Sequence, residues 1–242
     1  MTASALHHPA APEPAGTNAI RHLITPGSRA HRALLACALI GGLLFNATIW
    51  IAGAVRPGYD ALRQPMSALS LGPGGWVQII NFIVFGVLGI CFALALRATL
   101  APGSGATWAP ALQAVAGLSM IIAGVFTEDP SAGYPAGVVR PTAATVHGMV
   151  HQIASFASLT ATVAFLLVLA SRLAAEPGWR GWATWLRGTA ILMMALLAAF
   201  GSAAATHHGP AGLFEKAASI IVTIAGTVLI TRVLARAGRL TR

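Results

Sequence analysis

The chain has 242 residues, of which 56% are hydrophobic and only 9% charged, whereas soluble domains average roughly 25% charged residues. With a mean hydropathy of +0.75 and long charge-free runs, this composition describes a polytopic membrane protein and excludes a secreted disulfide scaffold, a coiled coil and a disordered regulator. The net charge of +9 invites a nucleic-acid reading, but the basic residues flank apolar runs instead of forming a stripe, so membrane orientation accounts for them and no nucleic-acid partner is expected.

Residues 1–31, rich in Ala, Pro, His, Ser and Gly and without a helical apolar period, read as a disordered tail. Six apolar runs follow, at 33–55, 76–96, 108–126, 146–171, 186–205 and 213–234. Each meets the requirement of about 20 residues for a span, and each must be a helix because lipid offers the backbone no hydrogen-bond partners. The expected fold is all-α, a six-helix transmembrane bundle over 32–236 with a basic tail at 237–242. Ala52-Gly53-Ala54 looks like a signal-peptidase site, yet the preceding region is too long and its apolar run is of spanning length.

A cytoplasmic N-terminus places eleven of the 15 Lys and Arg residues inside and leaves Arg56, Arg63, Arg140 and Lys216 outside. The positive-inside rule therefore predicts both termini in the cytoplasm of a bacterial inner (plasma) membrane. Cys37 and Cys91 fall within apolar runs and read as packing residues, with no disulfide or thiolate metal site.

On this topology the groups capable of acid-base or ligand chemistry gather on the outer side. The first outer loop carries Tyr59, Asp60, Arg63, Gln64, Ser67 and Ser70. Its stretch 60–69 reads as one short interfacial helix, with Leu62, Met66 and Leu69 on the apolar side. The second loop carries Glu128 and Asp129 and leads into His147 and His151; the third carries His207 and His208, ahead of Glu215 and Lys216. His147 and His151, four apart, share one helical face at a spacing that can hold a divalent metal, and the stripe continues through Ser155, Ser158 and Thr162. Glu215, Ser219 and Thr223 form a second stripe. Asp129, His147, His151 and one of His207 and His208 are expected to converge.

The candidate acid-base or nucleophilic groups are thus Asp129, Glu215 and Ser67. Candidate ligand contacts are Arg63, Gln64, Gln78 and Asn81, and candidate metal ligands, for zinc, are His147, His151, His207 and His208. Structural roles stand beside these: Glu215 complements a helix dipole, Asp129 before Pro130 forms a turn, and the intramembrane amides Asn46, Gln78, Asn81 and Gln113 bond between helices.

The stretch from Tyr59-Asp60-Ala61-Leu62-Arg63-Gln64-Pro65-Met66-Ser67-Ala68-Leu69 through Gly72-Pro73-Gly74-Gly75-Trp76 resembles a signature of the prokaryotic membrane family known as domain of unknown function 998. A second signature matches at Gly124-Val125-Phe126-Thr127-Glu128-Asp129-Pro130, Gly133-Tyr134-Pro135, Gly137, His147-Gly148 and His151, and a third near Gly212-Leu213-Phe214-Glu215-Lys216. The resemblance covers 34–234 and implies a six-helix integral membrane protein of uncharacterised activity, with no catalytic set to carry over. A remoter likeness links Ser67, Asp129, His147 and His151, with His207 or His208, to the Ser, Asp and three His that hold zinc in alkaline ceramidases and adiponectin receptors. Those proteins have seven helices and a different element order.

Together these features lead to the expectation of a membrane protein whose outward polar site binds or processes a lipid-derived or small envelope ligand. A zinc-dependent hydrolase of a lipid amide or ester is one alternative, and an assembly protein without a reaction is the other.

Overall fold

The computed structural model describes residues 24–103, 105–139, 141–206 and 209–239. Among them six helices are long and apolar enough to cross a membrane: α1 (Arg29–Val55), α2 (Trp76–Leu100), α3 (Trp108–Val125), α4 (Val146–Ala174), α5 (Arg180–Thr206) and α6 (Ala211–Arg239). Each packs chiefly on its neighbours in sequence, and α6 returns to α1, so the six helices close a ring. Large apolar side chains face outward, as lipid requires: Ile153 and Phe156 are each 71% exposed.

Helix ends extend beyond the apolar runs where polar groups carry them. Ser28 caps α1 by accepting the His31 N–H at 3.1 Å, and His31 Nε2, buried, meets Thr99 Oγ1 of α2 at 2.8 Å. On α5 the added first turns carry Trp182 and Trp185, which with Trp179 just ahead of the helix form a row of ring contacts. The Arg232 guanidinium of α6 lies 4.9 Å from the Trp182 ring centre. Where α2 crosses α3, glycine is obligatory. A Cβ on Gly86 would lie 2.4 Å from the Gly117 carbonyl oxygen, and one on Gly117 2.6 Å from that of Gly86. Such mutual approach of small residues gives membrane helices close packing where no hydrophobic force drives them together.

Polar seams complete the ring. Asn46 of α1 donates to Thr223 Oγ1 at 2.9 Å and accepts from Ser219 Oγ at 3.1 Å, which joins α1 to the α6 stripe. Asn81 donates to the Phe45 carbonyl and to Gln78 Oε1, and Ser158 of α4 donates to the Ala116 carbonyl of α3. Of the amides read as inter-helix groups, Asn46 and Asn81 act as such, whereas Gln78 bonds to Asn81 within α2.

The connections α1–α2, α3–α4 and α5–α6 lie at one end of the bundle. The first differs from its expected form. Instead of one interfacial helix over 60–69, it makes a turn in which Asp60 Oδ1 accepts the N–H groups of Leu62 and Arg63, and then a 3₁₀ helix, Met66–Ser70. Pro65 separates the two, because it lacks an N–H and disfavours helical backbone at the residue before it. Met66 and Leu69 are buried, packed with Phe45, Ile49 and Phe82 of α1 and α2. The segment therefore plugs the end of the bundle rather than lying on its surface.

Candidate functional site

The plug is held by the start of α6. Lys216, 1% exposed, donates through Nζ to the carbonyls of Ala61, Gln64 and Gly212 at 3.0, 2.9 and 3.3 Å. These bonds use all three ammonium hydrogens. The α6 N-terminus adds Gly212 N–H to the Arg63 carbonyl and Leu213 N–H to that of Leu62, so the loop backbone caps the helix. Only glycine allows this approach, since a Cβ on Gly212 would lie 2.0 Å from the Gln64 oxygen. Glu215 Oε2 accepts the Met66 N–H at 2.7 Å. Tyr59 closes the turn with its hydroxyl 2.9 Å from the Pro65 carbonyl. Burial, followed by the charges of Glu215, Glu128, Tyr134 and Asp60, pushes its phenol far above the usual tyrosine range.

The second connection docks on the first through Gln64, whose Nε2 donates to the Ala132 carbonyl at 3.1 Å and whose Oε1 accepts the Asp60 N–H. Ala132 and Gly133 both have positive φ, at 50° and 76°, in a tight turn closed by Ser131 and Tyr134. Upstream, the adjacent acids diverge, as successive side chains do in extended backbone. Asp129 receives the Thr145 N–H and hydroxyl at 2.9 and 2.6 Å, beside the N-terminus of α4, and lies so near Gly148 that a Cβ there would meet its Oδ2 at 2.2 Å. Glu128 turns the other way and accepts the Ser67 hydroxyl at 2.8 Å.

Glu128, Ser67, Glu215 and His151 line one end of a cavity of about 1170 Å³ between α4 and α5, with Arg63 also in its wall. Phe156, Leu159 and Val163 of α4 face Met194, Leu197 and Phe200 of α5 along its length. The exposure of Phe156 (71%) and Met194 (44%) leaves it open on the side between these helices. Burial raises the Glu128 carboxyl to about 8; the Ser67 hydrogen bond opposes the rise, and the Glu215 and Asp129 charges add to it. Its Oε1 is sealed from solvent and has no hydrogen-bond partner among the described residues. His151 is buried, with Nδ1 at 2.9 and 2.8 Å from the carbonyls of Ala123 and Phe126 at the end of α3. Two acceptors assign the proton to Nδ1, so the lone pair is on Nε2.

The sequence candidates therefore separate. Ser67, Glu215, His151 and Arg63 reach the cavity, whereas Asp129 serves the start of α4, Gln64 ties two loops together, and Gln78 and Asn81 bond within and between α1 and α2. His147 is exposed, with its ring 5.2 Å from that of Phe126, while His151 is turned inward. His207 and His208 lie outside the described residues, and among those described no group of three His, Cys, Asp or Glu side chains is placed to hold a metal ion. Glu128 stands among the acid-base-capable groups of the second loop in the sequence, but not among the candidate site residues. The available signal was its place beside Asp129, whose short side chain suits the helix end and leaves the longer acid for the opposite face.

Fold and site together define an all-α, six-helix membrane-spanning protein with an amphipathic lateral cavity, polar where its loops close it. The chain belongs to the family described as Protein of unknown function (DUF998), whose model matches residues 39–232. No curated protein matches it, and no solved structure does.

Proposed function

We propose that this protein resides in the inner membrane with both termini in the cytoplasm and binds or processes a lipid-derived amphiphile in the cavity between α4 and α5, head toward the outer loops. One observation carries the reading: a single continuous cavity pairs a cluster of ionisable groups with two facing helical walls of apolar side chains. Its roughly 1170 Å³ exceeds the range of about 300–1,000 Å³ usual for small-molecule pockets. The lateral opening supports entry from the bilayer, and the excess of Lys and Arg at the opposite end supports the orientation.

Lipids extracted from purified protein in nanodiscs, compared between wild type and Gly201→Phe, test the reading. Gly201 lines the cavity, and a Cβ on it meets nothing within 4 Å, so the ring fills the cavity without forcing the helices apart. Wild type is expected to retain a lipid that the variant loses; identical lipid complements would refute the reading. For topology, a cysteine at Ser131 should react with an impermeant thiol reagent in intact cells and one at Ala174 should not. Labelling at Ala174 alone would reverse the orientation.

A further inference from the structure

The cavity's polar end is strongly biased toward hydrogen-bond acceptors. Glu128 offers a buried Oε1 with no partner among the described residues, and Glu215, whose Oε2 takes the Met66 N–H, offers its second oxygen. His151, with Nδ1–H committed to two carbonyls, offers the Nε2 lone pair. The Ser67 hydrogen is already given to Glu128 Oε2. Lys216, adjacent to Glu215 in sequence, is bound by three loop carbonyls and is absent from the cavity wall. Arg63, exposed, is the one cation in that wall among the described residues.

A head supplying several donors and a positive charge complements such an end, whereas a phosphate or sulfate would meet two carboxyl groups. Resting on the amphiphile reading above, we propose that the ligand's head is a protonated amine, with its N–H groups directed to the carboxyls of Glu128 and Glu215 and to His151 Nε2 and its chain lying between α4 and α5. An ammonium has three donors for these three acceptors, and charge-assisted hydrogen bonds are the strong ones. It would also supply the partner that Glu128 lacks. In the empty cavity burial keeps that carboxyl protonated up to about pH 8, with the proton on Oε1 because Oε2 accepts from Ser67; a cation beside it reverses the effect, so binding releases that proton and makes the carboxyl an acceptor throughout.

The test titrates dodecylamine, dodecanol and dodecyl phosphate separately into the full-length protein in phosphatidylcholine nanodiscs, with occupancy read by native mass spectrometry. Wild type is expected to take up dodecylamine in preference to the other two. Glu128→Gln, which keeps the side chain's size and the acceptor for Ser67, should weaken dodecylamine about tenfold and leave dodecanol unchanged, and Glu215→Gln should act in the same direction. Unaltered circular dichroism establishes that each variant is folded. Equal or better uptake of dodecanol or dodecyl phosphate, or full dodecylamine uptake by a folded Glu128→Gln, would overturn the amine assignment while leaving the amphiphile site in place. If no probe binds wild type better than Gly201→Phe, both readings fall.

Discussion

Glu128→Gln should stabilise the ligand-free protein in alkaline solution and leave it unchanged in acid. The Glu128 carboxyl rises from 4.5 to about 8 on folding, so between those values the folded chain holds a proton that the unfolded chain has lost. Stability is therefore intact below about pH 4.5, falls through the interval and levels above about 8. At about 1.36 kcal/mol for each pH unit of that interval, the full cost approaches about 5 kcal/mol, a ceiling that local hydration of the carboxylate lowers. Glutamine carries no such charge and still accepts the Ser67 hydroxyl, so it escapes the cost. Thermal unfolding in a mild detergent at pH 5, 7 and 9 measures this. At about 2–4 °C per kcal/mol for chains of this size, the variant should melt on the order of 10 °C above wild type at pH 9, with no gap at pH 5. A gap independent of pH would mean that the glutamine acts through packing, and no gap at pH 9 would mean that Glu128 ionises freely in water.

Gly212→Ala should release the plug, because its Cβ would stand 2.0 Å from the Gln64 oxygen and the capping bonds to Arg63 and Leu62 would break. A cysteine at the buried Ser70, unreactive to a thiol reagent in the wild-type background, should become reactive in the Gly212→Ala background; continued protection would show that the loop is held without this contact. Gly86→Val should cost about 1–3 kcal/mol or more from overpacking at the α2–α3 crossing and lower the yield of monodisperse protein on size exclusion. Gly188→Ala, where a Cβ meets nothing within 4 Å, should not, and equal yields would remove the crossing from the account of stability.

Hydropathy made all six spans legible because lipid imposes one requirement on every spanning backbone. The errors lie where polar groups take over. The Ser28 cap and the buried His31 extend α1 beyond its apolar run, and Pro65 divides what looked like one amphipathic helix. At the site, spacing correctly grouped Glu215, Ser219 and Thr223 on one face of α6 but could not divide their work, one reaching the plug and two reaching Asn46. The histidine pair shows the same limit. A separation of four guarantees a shared face, yet a helix near its loop end has one turn in water and the next inside the protein, so His147 and His151 occupy different environments. Glu128 and Lys216 were harder to see, since their roles depend on carbonyls and hydroxyls brought from distant loops, which leave no periodic trace.

The dependence of the plug on α6 also sets an order of assembly. Met66 and the carboxylate that anchors its N–H are 149 positions apart. At translation rates of roughly 5–20 residues per second, the first loop emerges about 7–30 seconds before the helix that fastens it. During nascent-chain insertion the first five helices precede the Lys216 clamp, so the end of the bundle that presents Ser67 is completed last. A chain stalled or truncated before Gly212 would retain most of its apolar packing and lack a fastened plug, so the loop end of the bundle alone would distinguish it from the finished protein.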